Sequence, residues 1–346
     1  DLNVISINFK GELIVNRVAK YYEFGEPLKV VKIEEEKTPT PESNQVLLGM
    51  EAACLHLADV YRVTGVRDFS SPPPGIPGAE GVGKVIAIGD KINNINIGDR
   101  FLAPLSSGTC RDELIVDVDK LIPAPPNGDT FQLAMATVNP VTSWLLFYAF
   151  IKHKPGSWIL QNGGNSACGR YVIQIAKTEG IKTVSAVRRL EVRDELERIG
   201  ADAVVKDSEE LPNFVSDVTN DADIKLGLDV AAGDGTGWIA SSLGELGLIV
   251  NYGLMSGKDL TIPKETSLGK GIRFQGFMMS RTFNTLYTKE QEIEIRKKVS
   301  NLVGSGELTA KVADVYSLDN IAEALDHANR RGSDRDGKIL VKMGYY

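Results

Sequence analysis

Up to about Pro126 the apolar residues fall in short runs that read as strands. Arg17–Tyr22, Gln45–Ala52, Gly83–Ile88, Arg100–Ala103 and Asp112–Val116 are alternating or β-branched. Gly25-Glu26-Pro27, Pro72-Pro73-Pro74-Gly75 and Pro123-Ala124-Pro125-Pro126 punctuate them as turns.

From Phe131 the period changes. Phe131–Phe150 reads as helix interrupted at Asn139-Pro140. Strand and helix then alternate. Trp158–Gln161, Lys182–Val187, Ala203–Val205 and Lys225–Asp229 are strand-length apolar runs. They are followed in turn by helical patterns at Gly169–Glu179, Glu191–Ile199, Leu211–Val218 and Gly235–Leu243. Leu246–Tyr252 and Ile272–Phe277 add two more strands. Glu290–Val303 and Ile321–Arg330 are amphipathic helices, and Lys338–Met343 is a last strand. Strands joined through helices predict a doubly wound parallel sheet. The expected architecture is an α/β chain with a β-rich domain over 1–126 and 283–346 and a Rossmann domain inserted at 127–282.

Composition narrows the partners. Over 346 residues the net charge is −7, which gives no electrostatic case for nucleic acid or an anionic membrane surface. No apolar run reaches the roughly 18 residues of a membrane span. Cys54, Cys110 and Cys168 are widely spaced and odd in number, so neither a disulfide framework nor a zinc ribbon is indicated. A reducing compartment, the cytoplasm, is expected. The alternative is the mitochondrial matrix after removal of a transit peptide.

The chemistry concentrates after Trp158. The strand enters Asn162-Gly163-Gly164-Asn165-Ser166-Ala167-Cys168-Gly169 and passes directly into a helix. Backbone N–H groups at such a strand–turn–helix junction can hold a pyrophosphate. Gly163 and Gly164 supply the tight turn, and Gly169 the close helix–sheet approach. The second strand ends at Arg188-Arg189, where an NAD site ordinarily carries an acidic residue for the ribose. Two guanidiniums suit a 2′-phosphate instead, so NADPH is the expected cofactor. Asp229 ends a central strand and is expected to cap the turn that follows.

Val138-Asn139-Pro140-Val141-Thr142, the glycine loop and Val172-Ile173-Gln174-Ile175-Ala176 together resemble the medium-chain dehydrogenase/reductase superfamily. They look most like its mitochondrial-type 2-enoyl thioester reductase branch, and next like quinone oxidoreductases. The resemblance implies a GroES-like catalytic domain around the Rossmann insert and a homodimer joined through the Rossmann sheet edges. Zinc members carry a Cys-His-x-Asp segment and a Gly-His-Glu segment. The matching places here are His56-Leu57-Ala58-Asp59 and Gly78-Ala79-Glu80. With Ala79 in place of the histidine, three protein ligands for a catalytic zinc are not at hand. No metal is expected, and His56 is expected to be a structural or pocket residue.

Without a Lewis acid, hydride delivery to an activated C=C bond or a quinone fits better than alcohol chemistry. In the enoyl thioester reductase branch a tyrosine follows the glycine of the segment aligned with Thr64-Gly65-Val66-Arg67-Asp68. Here its place is taken by Arg67, or by Val66 if the register slips, and Arg67 could instead bind an anionic substrate group. Tyr61, in Asp59-Val60-Tyr61-Arg62-Val63-Thr64-Gly65, resembles the cleft tyrosine of quinone oxidoreductases. Its phenol could hydrogen-bond a developing enolate. The resemblance further implies that Asn139 and Thr142 flank the nicotinamide ribose and amide. Tyr252 and Met255 would stand at a sheet edge, Phe277 and Met278 beside the nicotinamide, and Lys338 near the cofactor phosphates. Asn165, Ser166, Ala167 and Cys168 complete the phosphate loop. A non-enzymatic cofactor-binding protein is the reading from another class, and the intact glycine loop weighs against it.

Overall fold

The computed structural model describes residues 6–7, 13–14, 16–66, 72–330 and 332–346. The chain divides into two units, Asp1–Val138 with Ile293–Tyr346, and Asn139–Glu292.

The first unit is organised by one strand, Gln45–Leu55. Its eleven residues are buried from Val46 onward. An uninterrupted apolar run is what a strand covered on both faces requires. It pairs antiparallel with Glu80–Ile88, Glu113–Asp117 and Lys338–Lys342. The seven-stranded sheet is completed by Val312–Ser317, Arg100–Leu102 and Ile122–Pro123. Leu48, Met50, Ala53, Val60, Val63, Leu325 and Val341 form part of its core. Glu51, 3% exposed, is the charged exception inside the central strand. Arg100 Nε donates to it at 2.8 Å and Lys84 Nζ lies at 2.9 Å, which offsets the cost of burying the carboxylate.

The second unit contains a six-stranded sheet in the order Ala203–Lys206, Lys182–Val187, Trp158–Asn162, Leu226–Asp229, Leu248–Asn251, Arg273–Gly276. Every neighbouring pair is parallel. In chain order this is 3-2-1-4-5-6, with the topological switch between Trp158–Asn162 and Leu226–Asp229. Leu160, Val184, Ile239 and Ile249 pack on one face, and Ile173, Val187, Leu196 and Val204 on the other.

The domain limits expected from the sequence were 126/127 and 282/283, whereas the units meet at 138/139 and 292/293. Physical ties explain both positions. Arg100 donates to the carbonyls of Pro126 and Gly128 and to Thr130 Oγ1, and Gln132 exchanges two hydrogen bonds with the Ala310 backbone. These hold 127–138 to the first unit. Helix Met279–Leu286 packs on helix Asn139–Tyr148, which keeps it in the second. The single interrupted helix expected over 131–150 is two helices, Thr130–Leu133 and Asn139–Tyr148. Asn139-Pro140 opens the second, where a missing N–H costs nothing.

Candidate functional site

At the carboxyl ends of three adjacent parallel strands stand three polar residues, Asn162, Asp229 and Asn251. Their exposures are 0%, 0% and 9%. Asn162 Nδ2 donates to Asp229 Oδ1 at 2.7 Å, and Asn251 Nδ2 to Asp229 Oδ2 at 3.0 Å. Asn162 Oδ1 accepts from the N–H of Val230 at 2.8 Å and of Ala231 at 3.2 Å. Asp229 also accepts from the N–H of Ala232 and from Thr236 Oγ1, at 3.0 and 2.7 Å. The capping role expected for Asp229 is therefore what the structure has, and the carboxylate does more than cap. It ties the switch-point strands to one another and fixes where the glycine loop begins. A satisfied buried network of this kind rigidifies its surroundings.

At its glycines the loop has no room for side chains. Gly163 has φ +57°, and a Cβ there would come 2.4 Å from Val230. A Cβ on Gly164 would meet Ser185 Cβ at 2.6 Å, and one on Gly169 would meet Gly164 O at 2.6 Å. All three glycines are thus demanded by space, although the loop departs from the usual glycine spacing. Ser166 caps helix Ala167–Thr178, its hydroxyl accepting from Gly169 N at 3.1 Å. The backbone of Asn165 accepts from Arg170 Nε, whose guanidinium pairs with Glu195 Oε1 at 2.9 Å. Ala167 and Cys168 form the first turn. N–H groups in the first turn of a helix lack intrahelical acceptors, which suits such a turn to an anion.

Other residues named from the sequence gather here. Cys168 Sγ lies 3.6 Å from Asn139 Oδ1, and Ser143 Oγ bridges the carbonyls of Asn139 and Cys168. This sets Asn139, and Thr142 one turn on, beside the loop. Tyr252 follows Leu248–Asn251, and its phenol oxygen is shielded from solvent. Burial, with Cys168 nearby, raises its pKa, and Ser166 partly offsets this. Met255 N donates to Val230 O at 3.1 Å. Phe277 N donates to Asn251 O at 2.7 Å, and its ring sits 6.2 Å from that of Phe150. Met278, 49% exposed, occupies the N-cap position of helix Met279–Leu286 without a side-chain cap. Arg188 is exposed and Arg189 half-buried, the first and second residues beyond strand Lys182–Val187. A hollow of about 540 Å³ lined by Phe147, Tyr148, His153 and Glu179 lies at the other end of helix Asn139–Tyr148.

In the first unit, Tyr61 is half-buried on helix Leu57–Thr64, and Arg67 lies outside the described residues. Lys338 is found against His56, its Nζ donating to Nδ1 at 3.2 Å. His56 Nε2 in turn contacts Glu80 Oε1 at 2.5 Å. Glu80 is wholly buried, and its Oε2 accepts from the N–H of Thr137 at 2.9 Å and Val138 at 2.8 Å. Ligand atoms of Cys54, His56 and Glu80 lie within 4.8 Å of one another. This donor set does not suit zinc. The Lys338 ammonium stands against the imidazole, where its charge would repel a dication. The sequence reading did not find the Lys338–His56–Glu80 chain, because its members are distant along the chain. Asn162, Asp229 and Asn251 did carry a signal, a polar residue closing each apolar strand.

A GroES-like fold beside a Rossmann sheet with a glycine loop defines a nucleotide-dependent oxidoreductase of the dehydrogenase type. Residues 42–119 match the alcohol dehydrogenase GroES-like domain, and 167–294 the zinc-binding dehydrogenase domain. The mitochondrial enoyl-[acyl-carrier-protein] reductase of Caenorhabditis elegans is 33% identical over 306 residues, covering 87% of each chain. A structure described as an NADPH:quinone reductase from Bacillus thuringiensis superposes with a TM-score of 0.84 at 25% identity, covering 95% of this chain and 99% of that one. The Etr1p/NADP/crotonyl-CoA complex gives 0.84 at 24% identity, covering 95% and 100%. The chain belongs to the medium-chain dehydrogenase/reductase superfamily, in the branch of the enoyl-[acyl-carrier-protein] reductases.

Proposed function

We propose that this protein reduces the C=C bond of trans-2-enoyl thioesters with NADPH and without a metal. The observation that carries the cofactor is the glycine loop pinned by Asn162, Asp229 and Asn251, followed one strand over by Arg188 and Arg189. The C. elegans relative named an enoyl-[acyl-carrier-protein] reductase supports the substrate class. NADPH, when bound, supplies a hydride to the β-carbon of the activated double bond. The loop N–H groups hold the pyrophosphate, and Arg188 and Arg189 hold the 2′-phosphate. Asn139 and Thr142 orient the nicotinamide ribose, and Tyr252, Met255, Phe277 and Met278 border its end of the groove. Tyr61 donates a hydrogen bond to the thioester oxygen as enolate charge develops. Arg67 pairs with an anionic group of the substrate carrier, and Lys338 contributes positive charge on the phosphate side. The Lys338 ammonium against His56 favours metal-free chemistry.

The quinone reductase likeness and Tyr61 favour a second reading, reduction of a quinone or small enone. The two separate on NADPH oxidation with crotonyl-CoA, a longer enoyl thioester, a small quinone and a simple enone. Turnover confined to the quinone would overturn the thioester reading. The mitochondrial relative favours the matrix over the cytoplasm. A second copy of the chain is the proposed partner, paired through the outer strand Arg273–Gly276. All four of its residues are exposed, and it pairs only with Leu248–Asn251 among the described strands. No helix of the described residues is long and apolar enough to cross a membrane.

A further inference from the structure

One buried polar atom near the glycine loop has no role in the network just described. Asp207 follows strand Ala203–Lys206, and its N–H donates to Val187 O at 2.9 Å. That bond extends the ladder by one residue and sets Asp207 beside Arg188, the first residue after Val187. The carboxylate turns toward the loop after Asp229, because Oδ1 lies 3.9 Å from where a Gly235 Cβ would stand. Asn162 Nδ2 is 3.3 Å from the same point. Oδ1 is shielded from solvent, and no described residue donates to it. Leaving a shielded carboxylate oxygen unpaired is costly. Burial and the nearby Asp229 together push the Asp207 pKa up to about 6.

The order of groups along the sheet edge indicates what would supply the missing donor. The pyrophosphate belongs to the loop after the first strand, and the 2′-phosphate to the arginines after the second. The end of the third strand is then left to the base. An ionised carboxylate is acceptor-only. Adenine offers one hydrogen-bonding donor group, its exocyclic amine, among ring nitrogens that accept. We propose that Asp207 accepts a hydrogen bond from the adenine amine and selects adenine dinucleotides over their deaminated forms. This deepens the NADPH reading and rests on it.

The test is a fluorescence titration of the protein with NADPH and with reduced nicotinamide hypoxanthine dinucleotide phosphate, which carries an oxygen in place of that amine. Neither substrate nor turnover is required. NADPH is expected to bind at least about tenfold more tightly, as the loss of a charge-assisted hydrogen bond implies. In Asp207→Ala the preference should collapse toward unity. In Asp207→Asn it should also fall, because the new amide can donate to the hypoxanthine oxygen. Equal affinities in the unaltered protein, or a preference unchanged in both variants, would overturn the assignment while leaving NADPH binding intact. Binding of neither dinucleotide would overturn the cofactor reading and this inference with it.

Discussion

At the scale of single residues the site is built from groups that cannot change size or charge. A Cβ at Gly164 would lie 2.6 Å from Ser185 Cβ, inside the sheet. Gly164→Ala should therefore push the loop off its strand and weaken NADPH binding by about tenfold or more. Titration of NADPH fluorescence checks this, and unchanged affinity would show that the loop can yield. Asp229→Ala removes an acceptor used by Asn162, Asn251, Thr236 and two backbone N–H groups. Leaving such donors buried and unpaired should lower stability by about 3 kcal/mol or more, measured by urea unfolding. Asp207 behaves oppositely. Its folded pKa, about 6, is raised above the ordinary 3.8. The folded state then holds the proton more tightly than the unfolded state between these values. Stability from this group is full below pH ~4 and lost as pH rises through ~6, by roughly 2 kcal/mol after allowing for its partial exposure. Asp207→Asn should accordingly raise the melting temperature at pH 8 and change it little at pH 4. A stabilisation of the same size at both values would refute the shift.

At the scale of elements, the parallel strands were legible because strands covered on both faces are apolar throughout, and helices with one apolar face separate them. Lys182–Val187 has the limits expected from the sequence, and the other strands of that sheet differ by a residue or two at their ends. Strand Lys32–Glu36 was not legible, since Lys32-Ile33-Glu34-Glu35-Glu36 offers one apolar residue and, among the described strands, pairs only with Asn16–Lys20. Val312–Ser317 escaped for a different reason: it is exposed or half-buried throughout and paired through a bulge. The glycine loop could be recognised because its residue types are imposed locally. Lys338 could not be set against His56, because strand pairing across 282 residues brings them together. Ser166 is where an element and the site meet. It caps the helix that faces the phosphates, and Ser166→Ala should cost about 1 kcal/mol by chemical denaturation.

At the scale of the whole molecule, the Rossmann sheet has two unlike edges. At one, Ala203, Val204 and Val205 are 9%, 4% and 6% exposed, with helix Leu211–Thr219 packed nearby. At the other, Arg273, Phe274, Gln275 and Gly276 are all exposed. A bare strand edge is a template for another chain, and monomers usually blunt it with a bulge, a proline or a covering helix. Among the described residues this edge has none of these, and Leu246, Leu268 and Phe274 around it are 66%, 85% and 41% exposed. The Leu246 carbonyl accepts from the Arg273 guanidinium, so this apolar surface is continuous with the strand. A second copy would pair the two outer strands and cover the apolar flank in one step, which is how an isologous interface satisfies both partners at once. For a chain of 37.6 kDa, sedimentation equilibrium should return about twice that mass. Phe274→Lys should shift the population toward monomer, because it sets a charge on the strand proposed to pair in each copy. The variant should keep its NADPH affinity, since the cradle is built at the far ends of other strands. A monomeric unaltered protein, or a dimer untouched by the lysine, would move the interface elsewhere.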